Sequence, residues 1–340
     1  MIARIVIALV LACAAGASYA GDSAPLDVIS PKQAGYSADK LDSLAMYLEQ
    51  SGSAAFLALH DGRVFMSWGG VETKYPIHSI RKALCSALYG IYVERGEIDL
   101  SKTLADLGID DNPPSLTEAE KQATVLDLIQ SRSGVYHVSA AEAPSMIGDR
   151  PERGSHAPGE HFYYNNWDFN VAGAVLEQAT GESLFETFDR EIAKPIGMQD
   201  YTPDDGFYQF EKERSLYPAY HIRMTARDLA RFGLLYMRGG RWDGKQIVPA
   251  DWVAKSTRTR SVLSEEWGIG YGYMWYTTVK DEGSGLAFFH TGAGVHILCV
   301  FPEIKLVWVN RVSTEGPYDF SQMNLIKIWD LILDARVLAD

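Results

Sequence analysis

Ser79-Ile80-Arg81-Lys82 runs directly into Ala83-Leu84-Cys85-Ser86-Ala87-Leu88-Tyr89-Gly90-Ile91-Tyr92-Val93-Glu94. The stretch reads S-x-x-K at the head of a helical pattern that is apolar nearly all round, which describes a buried helix rather than a surface one. Serine and lysine three apart share a helix face, so the amine can reach the hydroxyl. A serine hydroxyl needs a partner that removes its proton before it is a useful nucleophile. Lysine can be that partner if burial and nearby positive potential lower its pKa, and the first turn of a helix supplies such potential. Arg81 is out of register with Ser79 and Lys82 and is expected to point away from them. The competing reading makes Ser79 only the N-cap of an ordinary helix.

Working outward, Ala54 to His60 and Arg63 to Trp68 are strand-like runs joined at Asp61-Gly62, a hairpin signal. Beyond Gly96, a helix stop, the pattern turns mostly helical with long polar loops. Pieces are expected over Thr124 to Ser131, Trp167 to Thr180, Ser183 to Ala193 (ended by Pro195) and Asp228 to Arg238, the last opened by a capping box at Thr225. After Trp267 the texture changes. Tyr271 to Val279, Ala287 to His290, His296 to Phe301 and Lys305 to Val312 are rich in aromatic and β-branched residues, and Met323 to Leu338 closes the chain as a helix. Strands at both ends with helices between predict an α+β fold. Its antiparallel sheet is flanked by helices and built from about residues 21–75 and 265–340, with an all-helical region inserted over about 76–264.

The 340 residues carry a formal charge of −13 with 47% hydrophobic residues. That is an ordinary globular core, and an acidic chain without Lys/Arg clusters is a poor nucleic-acid binder. No membrane-length apolar run follows the N-terminus. Residues 1–20 read as a secretory signal: Arg4 begins it, Ile5 to Ala12 are apolar, and Ala17-Ser18-Tyr19-Ala20 offers a cleavage site after Ala20. The mature chain is then expected in the periplasm or outside the cell. Val10-Leu11-Ala12-Cys13 supports an alternative, a lipoprotein anchored at Cys13. Cys85 and Cys299 are expected as isolated buried thiols. No cysteine pair or histidine motif has metal-ligand spacing, so neither a metal nor a cofactor is expected.

Two further clusters carry chemistry. Tyr164-Asn165-Asn166 precedes a helix; a tyrosine facing a lysine cation has a stabilised phenolate and can pass protons, and Asn166 can hydrogen-bond both an amine and a substrate amide. The plainer reading is a half-buried core tyrosine with Asn166 as helix N-cap. His290-Thr291-Gly292-Ala293 ends a strand, where a small residue lets a substrate lie along the edge. The N–H groups of Ala293 and Ser79 would form an oxyanion hole, with His290 adding polar or positive character. Here the plainer reading is a turn with a solvated histidine.

S-x-x-K, then Y-x-N, then H-T-G, in this order, resembles the serine β-lactamase and penicillin-binding-protein superfamily. Y-x-N and H-T-G stand in place of S-D-N and K-T-G, which is similar to the class C branch and its esterase and amide-hydrolase relatives. Ser131-Arg132-Ser133-Gly134, Pro158 to Gly181, Thr225 to Gly240 and Gly268 to Trp275 also resemble family segments, so the likeness spans Val28 to Val337. It implies a β-lactamase/DD-peptidase fold and a serine acyl-enzyme mechanism with Ser79, Lys82 and Tyr164 as catalytic residues. Asn166, His290, Thr291 and Gly292 would support substrate. Histidine in the third motif fits a hydrolase of esters or small amides better than a strict β-lactamase, because a lysine there helps hold a substrate carboxylate. A D-peptidase, a true β-lactamase and a non-catalytic ligand sensor remain as alternatives. The loops Val135 to His156 and Asp200 to His221 are candidates for shaping the pocket.

Overall fold

The computed structural model describes residues 24–280 and 286–337. The expectations for the signal segment, Cys13 and Ala20 fall outside these residues.

The first strand pair forms where the hairpin signal stood. Strands β1 (Ala55–His60) and β2 (Arg63–Gly69) turn at Asp61 and Gly62, whose φ angles are 51° and 81°. Two successive left-handed residues match the right-handed twist of the flanking strands, and Asp-Gly tolerates them. The rest of the sheet comes from the other end of the chain. These strands are β3 (Ser261–Ser264), β4 (Ile269–Tyr271), β5 (Tyr276–Thr278), β6 (Phe288–Gly292), β7 (His296–Phe301) and β8 (Leu306–Arg311). The order across the eight-stranded sheet is β2-β1-β8-β7-β6-β5-β4-β3, antiparallel throughout. The two chain ends meet where β1 pairs with β8, Leu57 opposite Val309.

The period-2 alternation of these strands feeds two cores. Phe56, Ala58, Ile297, Cys299, Phe301 and Trp308 point to helices α1 (Ala38–Ser51) and α5 (Gln322–Asp334). Leu57, Leu59, Leu298, Val300, Val307 and Val309 point to the other face, against α4 (Ala226–Met237) and the inserted region. That region contains the buried helix α2 (Arg81–Glu94) and α3 (Asn166–Thr180). It is helical apart from two short sheets: Tyr75–Pro76, Gly206–Gln209 and Ala219–Met224 form one, and Arg241–Trp242 with Lys245–Gln246 the other. Cys85 and Cys299 are free, buried thiols on opposite faces of the sheet. Among the described residues no helix is long and apolar enough to cross a membrane.

Several boundaries differ from the sequence expectation. The run Tyr271 to Val279 is two strands, not one: Met274 has φ 58° and Gly272 N–H donates to Trp275 O at 2.8 Å, which folds the run back on itself. Ser261–Ser264 pairs with β4 although its own residues carry little apolar alternation. Ser183 to Ala193 is an α-turn followed by a π-turn at Asp189–Ala193.

Candidate active site

Ser79 does not cap the helix. It sits in a 3₁₀ turn, His78–Ile80, and α2 starts two residues later with no side-chain cap. The turn is entered through His78 at φ 48°, a conformation that costs energy in a residue with a Cβ. Its ring is held by Thr314 Oγ1, 2.8 Å from Nε2. Strand β6 presses on the same turn: a Cβ on Gly292 would lie 2.5 Å from Ile77 O, so only glycine permits this approach. The glycine of H-T-G thus sets Ser79 against the strand.

Lys82 is completely buried, while Ser79 keeps part of its surface open. The Lys82 amine lies 2.8 Å from Ser79 Oγ and 2.7 Å from Tyr164 Oη. Burial first, and then the Arg81 charge, hold the Lys82 pKa well below the usual lysine range. Burial pushes Tyr164 up to about 12, against opposing hydrogen bonds from Ser79 and Tyr276 and the Arg81 charge. The two shifts run in opposite senses, toward a neutral amine at Lys82 and toward a protonated phenol at Tyr164. A neutral amine has a lone pair that can accept from one of the two hydroxyls.

Tyr164 is fixed by its neighbours in the chain. Tyr163 N–H donates to Ser131 O at 3.0 Å, and Ser131 Oγ and Asn165 Nδ2 each donate to Tyr163 O at 2.8 Å. Ser133 Oγ donates at 2.6 Å to Asp168, which burial pushes up to about 8. The phenol ring lies among Phe169, Tyr271 and Tyr276, with centroids 5.2, 6.0 and 5.9 Å away. Phe169 also faces the Lys82 amine at 4.7 Å. Sequence reasoning passed over Phe169, Tyr271 and Tyr276; the aromatic run Tyr271-Gly272-Tyr273-Met274-Trp275-Tyr276 was the available signal.

The supporting residues divide. Asn165, not Asn166, is the N-cap of α3; its Oδ1 accepts from Asp168 N–H at 2.8 Å. Asn166 is buried, donates to Ala141 O and leaves Oδ1 without a partner. His290 is neither solvated nor cationic. It is completely buried, its pKa pushed down to about 3 chiefly by that burial. Thr291 lines a cavity of about 920 Å³ on the other face of the sheet, between α5 and Tyr276, Phe289 and Ile297. Beyond Phe289, β6 has no ladder partner on the β5 side among the described residues. Ala293, at the following turn, is exposed. Arg81 does turn from Ser79, but into the protein: it is 2% exposed, lies 4.9 Å from the Tyr220 ring centroid and forms no ion pair among the described residues. In the loops, Tyr136 Oη meets His156 Nδ1 at 3.1 Å, and His156 stacks on His161 at 4.1 Å. His137 is turned inward against Val138 O and Asn112 O. No cluster of metal-ligating side chains occurs among the described residues.

A serine, a buried amine with a depressed pKa and a phenol within hydrogen-bond reach, beside an unpaired stretch of strand, can run nucleophilic acyl transfer. A Beta-lactamase family model matches residues 43–331. The 6-aminohexanoate-dimer hydrolase of Paenarthrobacter ureafaciens is 24% identical over 293 residues, 76% of this chain and 71% of that protein. The D-aminopeptidase of Brucella anthropi is 27% identical over 186 residues, 45% of this chain and 34% of that protein. A putative 6-aminohexanoate-dimer hydrolase structure from Bacillus anthracis superposes with a TM-score of 0.67 at 20% identity, covering 92% of this chain and 87% of that one.

Proposed function

The chain belongs to the Beta-lactamase family, and from that premise we propose that it is an exported serine hydrolase that cleaves an ester or small amide through an acyl-enzyme. The observation that carries the reading is the Lys82 amine bridging Ser79 Oγ and Tyr164 Oη at 2.8 and 2.7 Å. Ser79 Oγ attacks the substrate carbonyl as its proton passes to the neutral Lys82. The N–H groups of Ser79 and Ala293 receive the developing oxyanion. Tyr164 gives its proton to the leaving group and regains one from the Lys82 ammonium. Collapse leaves the acyl group on Ser79 and restores the neutral amine. Water then adds to the acyl carbonyl, losing a proton to the same amine–phenol pair, and the acid departs as Ser79 takes that proton back.

The neutral His290 supports a substrate without an obligatory carboxylate, since it brings no positive charge to the position where a lysine would hold one. The relatives' activities, on an aminohexanoate dimer and as an aminopeptidase, support small amides. The test is mass spectrometry with p-nitrophenyl esters, D-amino acid amides and a penicillin, on wild type and Ser79→Ala. Fast turnover of an ester or amide with a transient adduct on Ser79 is expected. A stable penicilloyl adduct without ester or amide turnover would point to a cell-wall enzyme instead, and full activity in Ser79→Ala would end the scheme.

A further inference from the structure

Thr314 touches both turns that would supply the oxyanion donors. One is the 3₁₀ turn of Ser79, entered through the left-handed His78. The other is the turn of Ala293 between β6 and β7, where Val295 N–H donates to Gly292 O at 2.8 Å. The Thr314 hydroxyl lies 2.8 Å from His78 Nε2, on the Ser79 side. Its methyl packs against the Ala293 side, so closely that a Cβ on Gly294 would lie 2.2 Å from it. One side chain thus spans two turns that are far apart in the sequence. The strand end that carries it is itself fixed. Arg311, the last residue of β8, is completely buried. Its Nη1 donates to Met224 O at 2.7 Å, its Nη2 to Tyr75 O and Pro76 O at 3.0 Å each, and its Nε to His296 Nδ1 at 3.1 Å. Val312 N–H donates to the same histidine nitrogen at 3.2 Å. Tyr75 and Pro76 lead into the Ser79 turn, and His296 opens the strand that leaves the Ala293 turn. The planar guanidinium fork therefore ties both segments to one point, a set of partners that a single ammonium does not match.

We infer that Thr314 is a positioning residue for the proposed acyl transfer, holding the N–H groups of Ser79 and Ala293 in one frame so that both meet the developing oxyanion. It acts through the two turns it touches. Donors aimed in advance stabilise the transition state because nothing has to reorganise as charge develops, and a small misplacement is expensive. The strained entry at His78 needs an outside hold of this kind. This inference rests on the acyl-transfer reading of the Ser79 cluster.

Two variants test it. Thr314→Val keeps the shape and the methyl contact but loses the hydroxyl; Thr314→Ser keeps the hydroxyl. Each is assayed for kcat/KM with p-nitrophenyl acetate and for inhibition by phenylboronic acid, whose tetrahedral adduct on Ser79 places an oxygen where the oxyanion would form. Thr314→Val should lower kcat/KM about tenfold and raise the boronate Ki by a similar factor, while Thr314→Ser should bring both to within about threefold of wild type. Thermal unfolding is followed alongside, because a packing role alone would lower the melting temperature without moving the two constants together. Wild-type constants in Thr314→Val, a loss of kcat/KM with an unchanged boronate Ki, or an equal loss in Thr314→Ser would overturn the inference. A wild type that neither turns over the ester nor takes the boronate on Ser79 would instead remove the acyl-transfer reading, and the inference with it.

Discussion

Two of the buried helices begin in opposite ways. Helix α4 starts with every backbone donor provided for. Thr225 Oγ1 accepts from Asp228 N–H at 3.2 Å, and the Asp228 carboxylate accepts from the N–H groups of Gln199, Asp200 and Tyr201 at 2.7, 2.9 and 2.9 Å. Helix α2 starts with a left-handed histidine, an uncapped 3₁₀ turn, a buried guanidinium without a carboxylate partner among the described residues and a buried amine with a depressed pKa. Each of these features opposes stability. Local rules are broken together only where the rest of the fold enforces them, and such places are where chemistry is expected. One helix start ties the protein together; the other carries the residues of the proposed site.

The contrast can be broken from either end. Ser79→Ala should lower kcat/KM by ~10⁴-fold while leaving the melting temperature unchanged or raised; steady-state kinetics beside calorimetry reads both. Lys82→Met should cost ~10²- to 10⁴-fold in rate, and it removes a buried polar group, so urea denaturation should show no loss of stability. At the other helix, Asp228→Ala orphans three N–H groups, one buried and two partly buried, and should cost about 3 kcal/mol in urea denaturation. Turnover below its melting range should persist. Arg81→Met bears on the charge state of Lys82. Neutral amine is the working form, so activity falls as pH drops through its pKa. Removing the second of the two causes that depress that pKa lets it rise, and the acid limb of the kcat/KM profile should move to higher pH. A limb that stays put would show that burial alone sets the charge. Thr225→Ala is the mildest change, about 1 kcal/mol of stability with kinetics untouched.

Much of this arrangement is legible in the sequence because it is local. Asp61-Gly62 specifies its turn, Thr225 with Asp228 announces a helix, and three late strands, β6 to β8, follow from aromatic and β-branched runs. Ser79 and Lys82 share a face because of their spacing. The failures are also physical. Ser261–Ser264 is a strand only because β4 lies beside it. Asn165 and Asn166 are adjacent candidates for one cap, and the choice depends on how the loop from Tyr163 is pinned to Ser131. His290 looks like a turn residue until the strand that carries it is enclosed.

The sequence by itself determined the α+β layout, the family likeness and the trio Ser79, Lys82 and Tyr164, since spacing and motif order survive without coordinates. Only the tertiary structure decided the charges. Burial beside Arg81 pulls the amine's pKa down, burial in the aromatic nest pushes the phenol's up, and the Thr291 carbonyl fixes the His290 tautomer. Desolvation depends on what packs around a group from distant parts of the chain, and no local pattern encodes that.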